Sequence, residues 1–156
     1  MKKNLNLILI LTFLLTLTAC GFKTIKNSKN LDIQNITSSG DKRISHVIKN
    51  QLLLNSTKNG SQIITINFSS KKNKSAKTKD VAGVISNFYL TLQVDLEIKD
   101  VKGNVLVTEI FVVQTSFEAT KRKSEQNTLE KTIEQKLTQE LADKINLFLM
   151  IYFENK

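Results

Sequence analysis

The chain has 156 residues and a formal net charge of +9, with a single cysteine and no proline or tryptophan. This length suits one domain. A single thiol excludes an intramolecular disulfide, so packing must supply the stability. The positive charge is compatible with acidic partners such as nucleic acid, phospholipid or phosphorylated glycolipid.

The N-terminus has the pattern of a secretory signal. Lys2 and Lys3 precede an apolar run over residues 7–17. About eleven residues are too few to span a bilayer, which takes about 20. We therefore expect residues 1–19 to be a signal peptide rather than a membrane anchor.

The signal ends in Leu17-Thr18-Ala19-Cys20, which resembles the lipobox of bacterial lipoproteins. The resemblance implies that Cys20 is lipidated and becomes the first residue of the mature chain; the alternative is an ordinary core thiol after simple signal cleavage. Gly21 follows it where inner-membrane retention would need Asp, which favours the outer membrane. Residues 20–30 are basic and polar and are interpreted as a tether.

The body of the chain, residues 31–153, is expected to form one domain. Apolar residues over 31–36 indicate a short first strand. A Ser- and Asp-containing start at 38–41 and apolar residues at helical spacing predict an amphipathic helix over about 41–54. Alternating apolar and polar residues over 64–68 predict a second strand.

The stretch from Phe88 to Phe117 predicts a long β-hairpin with limits at about 84 and 117. Apolar residues occupy every second position from Phe88 to Ile98, so one face of this strand lies in a core and the other in water. A turn signal at 100–104 separates it from a second run rich in Val, Ile, Thr and Phe. Because a lone hairpin is marginal in water, the other elements must cover it.

A Lys-rich segment precedes the hairpin. Residues 69–80 contain five lysines and no bulky apolar side chain. Because such a segment cannot build a core, we predict a mobile basic loop, either with a binding role or simply solvated.

The last element is predicted to be a long helix that begins at Ser124 or Asn127. Its apolar residues recur every four positions: Leu129, Ile133, Leu137, Leu141, Ile145 and Leu149. The run over 147–153 is apolar on every side. It indicates either contact with a partner or lipid or packing against the end of the sheet.

These elements predict an α+β fold, a two-layer sandwich in which a four-stranded mixed sheet carries two helices on one face in the order βαβββα. The first two strands are parallel through a helical crossover, and the last three can pair antiparallel.

Reactive residue types are scarce. Beyond Cys20 there is no thiol, the five glycines are separated, and the one histidine, His46, has no second histidine with which to share a metal. Asp95 and Glu97 share a strand face, but such neighbours on an exposed sheet are usually solvated. Since no nucleophile or acid–base set can be assembled, we expect a non-enzyme with no metal and no cofactor.

Several short motifs, in their order and spacing, resemble the family of the LPS-assembly lipoprotein LptE, the partner of the outer-membrane barrel LptD. They are Cys20-Gly21-Phe22 at the mature start, Ile44 to Leu52 in the first helix, Tyr89 to Val94 in the long strand, and Ser124 to Asn127 at the last helix start.

The resemblance implies the two-layer fold, a position as a plug in the lumen of LptD, and binding of lipopolysaccharide rather than nucleic acid. The family's basic ligand-contact position before the last helix falls on Lys121, Arg122 and Lys123. A second basic position of the family is not matched, because Ala82 stands there; Lys77 and Lys79 are the nearest cations.

The resulting expectation is an outer-membrane lipoprotein, anchored by Cys20, that supports an LPS-translocating barrel. Two alternatives stay open: a lipoprotein that regulates a peptidoglycan synthase, and an auxiliary subunit of a lipid-trafficking ABC system.

Overall fold

The computed structural model describes residues 31–154. The expected signal peptide (1–19) and tether (20–30), and with them the lipidation site Cys20, lie outside the described residues.

The predicted fold class is confirmed. The elements are β1 (Leu31–Gly40), α1 (Lys42–Leu54), β2 (Gln62–Lys79), β3 (Ile85–Asp100), β4 (Val105–Glu118) and α2 (Lys123–Glu154). They form a four-stranded sheet in the order β1-β2-β3-β4. β1 runs parallel to β2, and the other neighbours are antiparallel.

The alternation of β3 supplies the centre of the core. Its inward residues from Leu90 to Ile98 are at most 1% exposed. Two helical stripes cover them: Ile44, Ile48 and Leu52 from α1, and Leu137, Leu141, Ile145 and Leu149 from α2. Full burial of each such side chain stabilises the fold by about 1.5–3 kcal/mol, so the sheet and helices depend on one another.

The junction of β1 and α1 is a close contact with β2. Gly40 has φ +90°, and a Cβ on it would collide with the backbone carbonyl oxygen of Ser70. Asp41 then caps α1, since its side chain accepts hydrogen bonds from the N–H groups of Arg43 and Ile44. The hydroxyls of Ser45 and Ser70 lie 2.8 Å apart in the buried space beneath. Glycine is the residue that this approach requires.

The prediction of a mobile loop at 69–80 is wrong. Residues 69–79 are the second half of β2 and pair with β3 in register, from Ser69 opposite Asp95 to Lys79 opposite Ile85. β1 ends at Gly40 opposite Ser70, so this half of β2 is an edge strand. The segment is polar on both faces, and two of its lysines, Lys72 and Lys74, reach charged partners on α2 that a local sequence window cannot show.

The C-terminal run packs mainly on the sheet. Leu149 is buried, the Phe148 ring meets that of Phe111 edge-on at 5.5 Å, and the Tyr152 hydroxyl donates to the Leu106 carbonyl oxygen. Leu147 is half exposed. Neither helix in residues 31–154 has the length and apolarity to cross a membrane.

The junction gives a stability prediction. Gly40→Ala should lower the free energy of unfolding by at least about 2 kcal/mol, because the left-handed backbone disfavours a side chain by about 1–2 kcal/mol and the collision with Ser70 adds to this. Gly103→Ala is the matched control: it has φ +84° but open space around its Cβ, so it should lose only the backbone cost. Urea denaturation measures both, and equal losses would refute the close contact at Gly40.

Candidate functional site

The sheet brings the five predicted basic residues to one end of the molecule. Lys79 ends β2 opposite Ile85, near the start of β3. The Ala119 N–H, just after β4, donates to the Ser86 carbonyl oxygen, and Lys121 to Lys123 follow. We call this end, with Lys77, Lys79, Lys121, Arg122 and Lys123, the basic end.

The lysines of β2 divide into paired and unpaired groups. Lys71, Lys72 and Lys74 each contact a carboxylate within 3 Å, on Asp95, Glu134 and Glu130 respectively. Within residues 31–154, Lys77 and Lys79 have no carboxylate partner. Lys77 donates to the Ser116 hydroxyl and lies 5.2 Å from the Tyr89 ring centroid. The two lysines selected from the sequence are therefore the ones that an external anion could still neutralise.

The segment before α2 has a fixed backbone. The Thr120 N–H donates to the Gln126 side chain, the Thr120 hydroxyl to the Arg122 carbonyl oxygen, and the Gln126 N–H to the same carbonyl. The Arg122 guanidinium is largely exposed and makes one 3.3 Å contact with Glu125. Its other N–H groups face solvent, and an arginine guanidinium can bind a phosphate through two parallel hydrogen bonds.

The helix adds to the positive field at this end. Lys123 is the first residue of α2, so the cations lie at the positive end of its dipole. Cations here are unfavourable for the helix alone, but together with the free N–H groups they favour an anionic ligand.

Two ion pairs inside the sandwich hold this end together, and the sequence did not reveal them. Lys72 and Lys74 face the helix layer and contact Glu134 and Glu130 at 2.7 and 2.6 Å. Lys72 and Lys74, two positions apart on a strand, are separated by about 6.6 Å. Glu130 and Glu134, four positions apart on a helix, are separated by about 6 Å along its axis. The two lysines therefore have nearly the same spacing as the two glutamates, and both pairs can form at once. Ile64, Ile66 and Phe68 occupy every second position of β2 and face inward. Extending this alternation past Phe68 predicts that Lys72 and Lys74 face inward as well.

The environment of these pairs is partly apolar. The Lys74 ammonium lies 4.3 Å from the Phe88 ring centroid, and Phe88 packs against Phe117. The side chain of Glu134 is 9% exposed. Its hydrogen bond with Lys72 raises the pKa of that lysine above 10.5, outweighing burial, which lowers it. Lys72 is therefore charged at neutral pH and can pair with the Glu134 side chain.

Asp95 and Glu97 lie on the outer face of the sheet, beside a shallow depression lined also by Thr37, Asn67 and Ser69. A hydrogen bond from Lys71 lowers the pKa of Asp95, and one from Lys99 lowers the pKa of Glu97. A general acid needs a raised pKa, so both carboxylates are set for ion pairing instead.

Other chemistry-bearing residues are dispersed. His46 is exposed on α1 and contacts Asn50 at 3.1 Å. Across the described ranges, no group of three His, Cys, Asp or Glu residues could hold a metal ion.

Three solved lipoprotein structures share this fold. Rare lipoprotein B of Shewanella oneidensis superposes with a TM-score of 0.60 at 12% identity, covering 77% of this chain and 96% of its own. A candidate lipoprotein of Caulobacter crescentus gives 0.57 at 15%, covering 83% and 95%. Uncharacterized lipoprotein B of Nitrosomonas europaea gives 0.53 at 13%, covering 83% and 88%.

At these identities the likeness establishes the fold. No protein-family model matches the chain, and no curated protein matches its sequence.

The Lys72–Glu134 pair gives a second stability prediction. Glu134→Gln should cost about 1–2 kcal/mol, between the values for exposed and buried pairs. Glu140→Gln on the same helix is the control: it breaks the half-exposed Glu140–Lys144 pair and should cost no more than about 0.5 kcal/mol.

The free energy of unfolding that Glu134→Gln loses should depend on pH. Because the folded pKa of Lys72 lies above its ordinary 10.5, the pair contributes fully below pH 10.5, and its contribution disappears as pH rises through the folded pKa. Urea titrations of wild type and Glu134→Gln should converge in strongly alkaline solution. A difference that is equal for both Gln variants, or independent of pH, would contradict the pairing.

Proposed function

We propose that the protein is an outer-membrane lipoprotein that plugs and supports an LPS-translocating β-barrel of the LptD type, binds lipopolysaccharide and assists its assembly into the outer leaflet. The lipid on Cys20 fastens the chain to the membrane, and the sandwich is the plug. The role requires no reaction at the protein's own side chains.

The observation that carries this proposal is the grouping of Lys77, Lys79 and Lys121–Lys123 at one end of a sandwich. The resemblance to LptE selected these residues, and the register of β2, β3 and β4 is independent support because it places them at the same end. The lipobox-like sequence before Cys20 and the fold shared with bacterial lipoproteins support the location.

The chemistry of the basic end suits lipid A, which carries phosphates. Arg122 offers a planar fork, and the four lysines supply point charges without fixed direction. Lys77 and Lys79 lie on an ordered strand and not in a mobile loop. Their backbone therefore loses less conformational entropy when a ligand binds. A phosphorylated glycolipid therefore fits this end better than a neutral ligand.

Charge reversal tests the proposal. The triple variant Lys121→Glu, Arg122→Glu, Lys123→Glu should weaken lipopolysaccharide binding about tenfold or more, because hydrogen bonds to charged groups contribute about 1.5–3 kcal/mol each. Acidic residues at the start of α2 and just before it favour the helix dipole, so the variant should remain folded. Affinity of the purified chain for lipopolysaccharide in detergent is the measurement.

The control is Lys42→Glu, Arg43→Glu, Lys136→Glu, which changes the net charge equally at exposed positions away from the basic end. It should bind nearly as tightly as wild type. Unchanged affinity in the first variant, or an equal loss in both, would end the assignment of the site.

A further inference from the structure

We propose that the end of the sandwich opposite the basic end docks on a phospholipid bilayer in the anchored chain, before it meets a barrel. β1, β2 and β4 begin at this end, and β3, α1 and α2 end there. The inference rests on the membrane anchor of the proposed function. In the test below, a phospholipid coupled to Cys20 replaces the natural lipid.

Five exposed apolar side chains lie at this end, which we call the apolar end, against two, Val81 and Val84, in the β2–β3 turn at the basic end. Leu54, in the last turn of α1, is 73% exposed, and Val101 and Val105, which bracket the β3–β4 turn, are 63% and 52% exposed. Leu53 and Ile63 are also exposed. Grouped exposed apolar side chains mark contact with a partner or a membrane.

The charges at the apolar end suit a phospholipid surface. Asp100 accepts hydrogen bonds from Asn104 and from the backbone of Lys102, which lower its pKa and keep it negatively charged. Asp32 likewise accepts one from the Asn59 N–H. Exposed Lys58 and Lys102 balance these two carboxylates, so the apolar end offers both signs of charge to zwitterionic headgroups, which carry a phosphate and a cation.

The position of Leu31, where β1 begins, decides which end of the domain faces the membrane. Leu31 begins β1 at the apolar end, where its carbonyl oxygen accepts from the Thr57 N–H. Eleven steps of chain separate Leu31 from Cys20, so the two are at most about 40 Å apart. β3 has 16 residues and spans about 50 Å at about 3.3 Å per residue. An upright domain with its basic end on the bilayer would exceed the reach of the tether.

A domain lying flat on its outer sheet face is the remaining alternative. Most of that face is polar, with Asn67, Ser69 and Asp95 across its middle. Its exposed apolar residues are Ile110 and Val112 on β4, about half exposed, and Ile63, which lies where this face meets the apolar end. The apolar end has more exposed apolar residues and lies nearer the anchor, which favours end-on contact.

The sequence allows a direct test, because it contains one cysteine and no tryptophan. The mature chain, residues 20–156, is coupled through Cys20 to a maleimide phospholipid in phosphatidylcholine vesicles. A single tryptophan is introduced by Leu54→Trp, Ile110→Trp or Val81→Trp, all at exposed positions. Quenching by lipids brominated on their acyl chains then reports which position enters the bilayer.

We expect the tryptophan at 54 to be quenched at least about threefold more than the other two, since apolar faces of interfacial elements enter about 5–10 Å into the headgroup–acyl boundary. Strongest quenching at 110 would mean a flat domain. Strongest quenching at 81, or equally weak quenching at all three, would mean that the apolar end does not meet the bilayer; each of these results overturns the inference. Because the anchor is attached chemically, a negative result is separate from failure of Cys20 to be lipidated or of the chain to bind lipopolysaccharide.

Discussion

Two lysines on a strand and two glutamates on a helix allow the sheet to extend beyond its first strand. β1 ends opposite Ser70, and from there β2 continues to Lys79 as an edge strand. Only the first half of α2 covers its inner face, through the Lys72–Glu134 and Lys74–Glu130 pairs. Inward charges on an edge strand also discourage pairing with another chain. The same contacts thus hold the second half of β2 against α2 and protect the exposed edge of the sheet from pairing with another chain.

This extension gives the molecule two ends of opposite character, about 50 Å apart by the length of β3. One end carries Lys77, Lys79 and the cations at the start of α2. The other carries more of the exposed apolar side chains, among them Leu53, Leu54, Val101 and Val105, beside the start of β1. A membrane-anchored protein that presents a cationic surface away from its anchor can meet an anionic glycolipid there, and such a division needs no reactive group.

The sequence predicted the parts whose signals are local. Strict alternation from Phe88 to Ile98 and the four-residue repeat of α2 predicted the core, and the Ser- and Asp-containing segment 38–41 predicted the start of α1, where Asp41 is the cap. The sequence-based prediction of a loop at 69–80 was wrong because Lys72 and Lys74 pair with glutamates about 60 residues further along the chain, on α2. The predicted site residues came largely from resemblance; that Lys77 and Lys79 alone of the β2 lysines lack a carboxylate partner in the described chain required side-chain geometry. Nothing in the spacing of Leu54, Val101 and Val105 indicated a shared end.

The central claim is that the anchored sandwich works as the partner of an outer-membrane barrel, and purification of its complexes tests this most directly. A C-terminally tagged chain would be isolated from detergent-solubilised membranes and its partners identified by mass spectrometry. The account predicts an equimolar large β-barrel protein bound to a chain that begins at acylated Cys20. Recovery of a bitopic peptidoglycan synthase, of inner-membrane ABC components, or of an unacylated chain without a partner would contradict it.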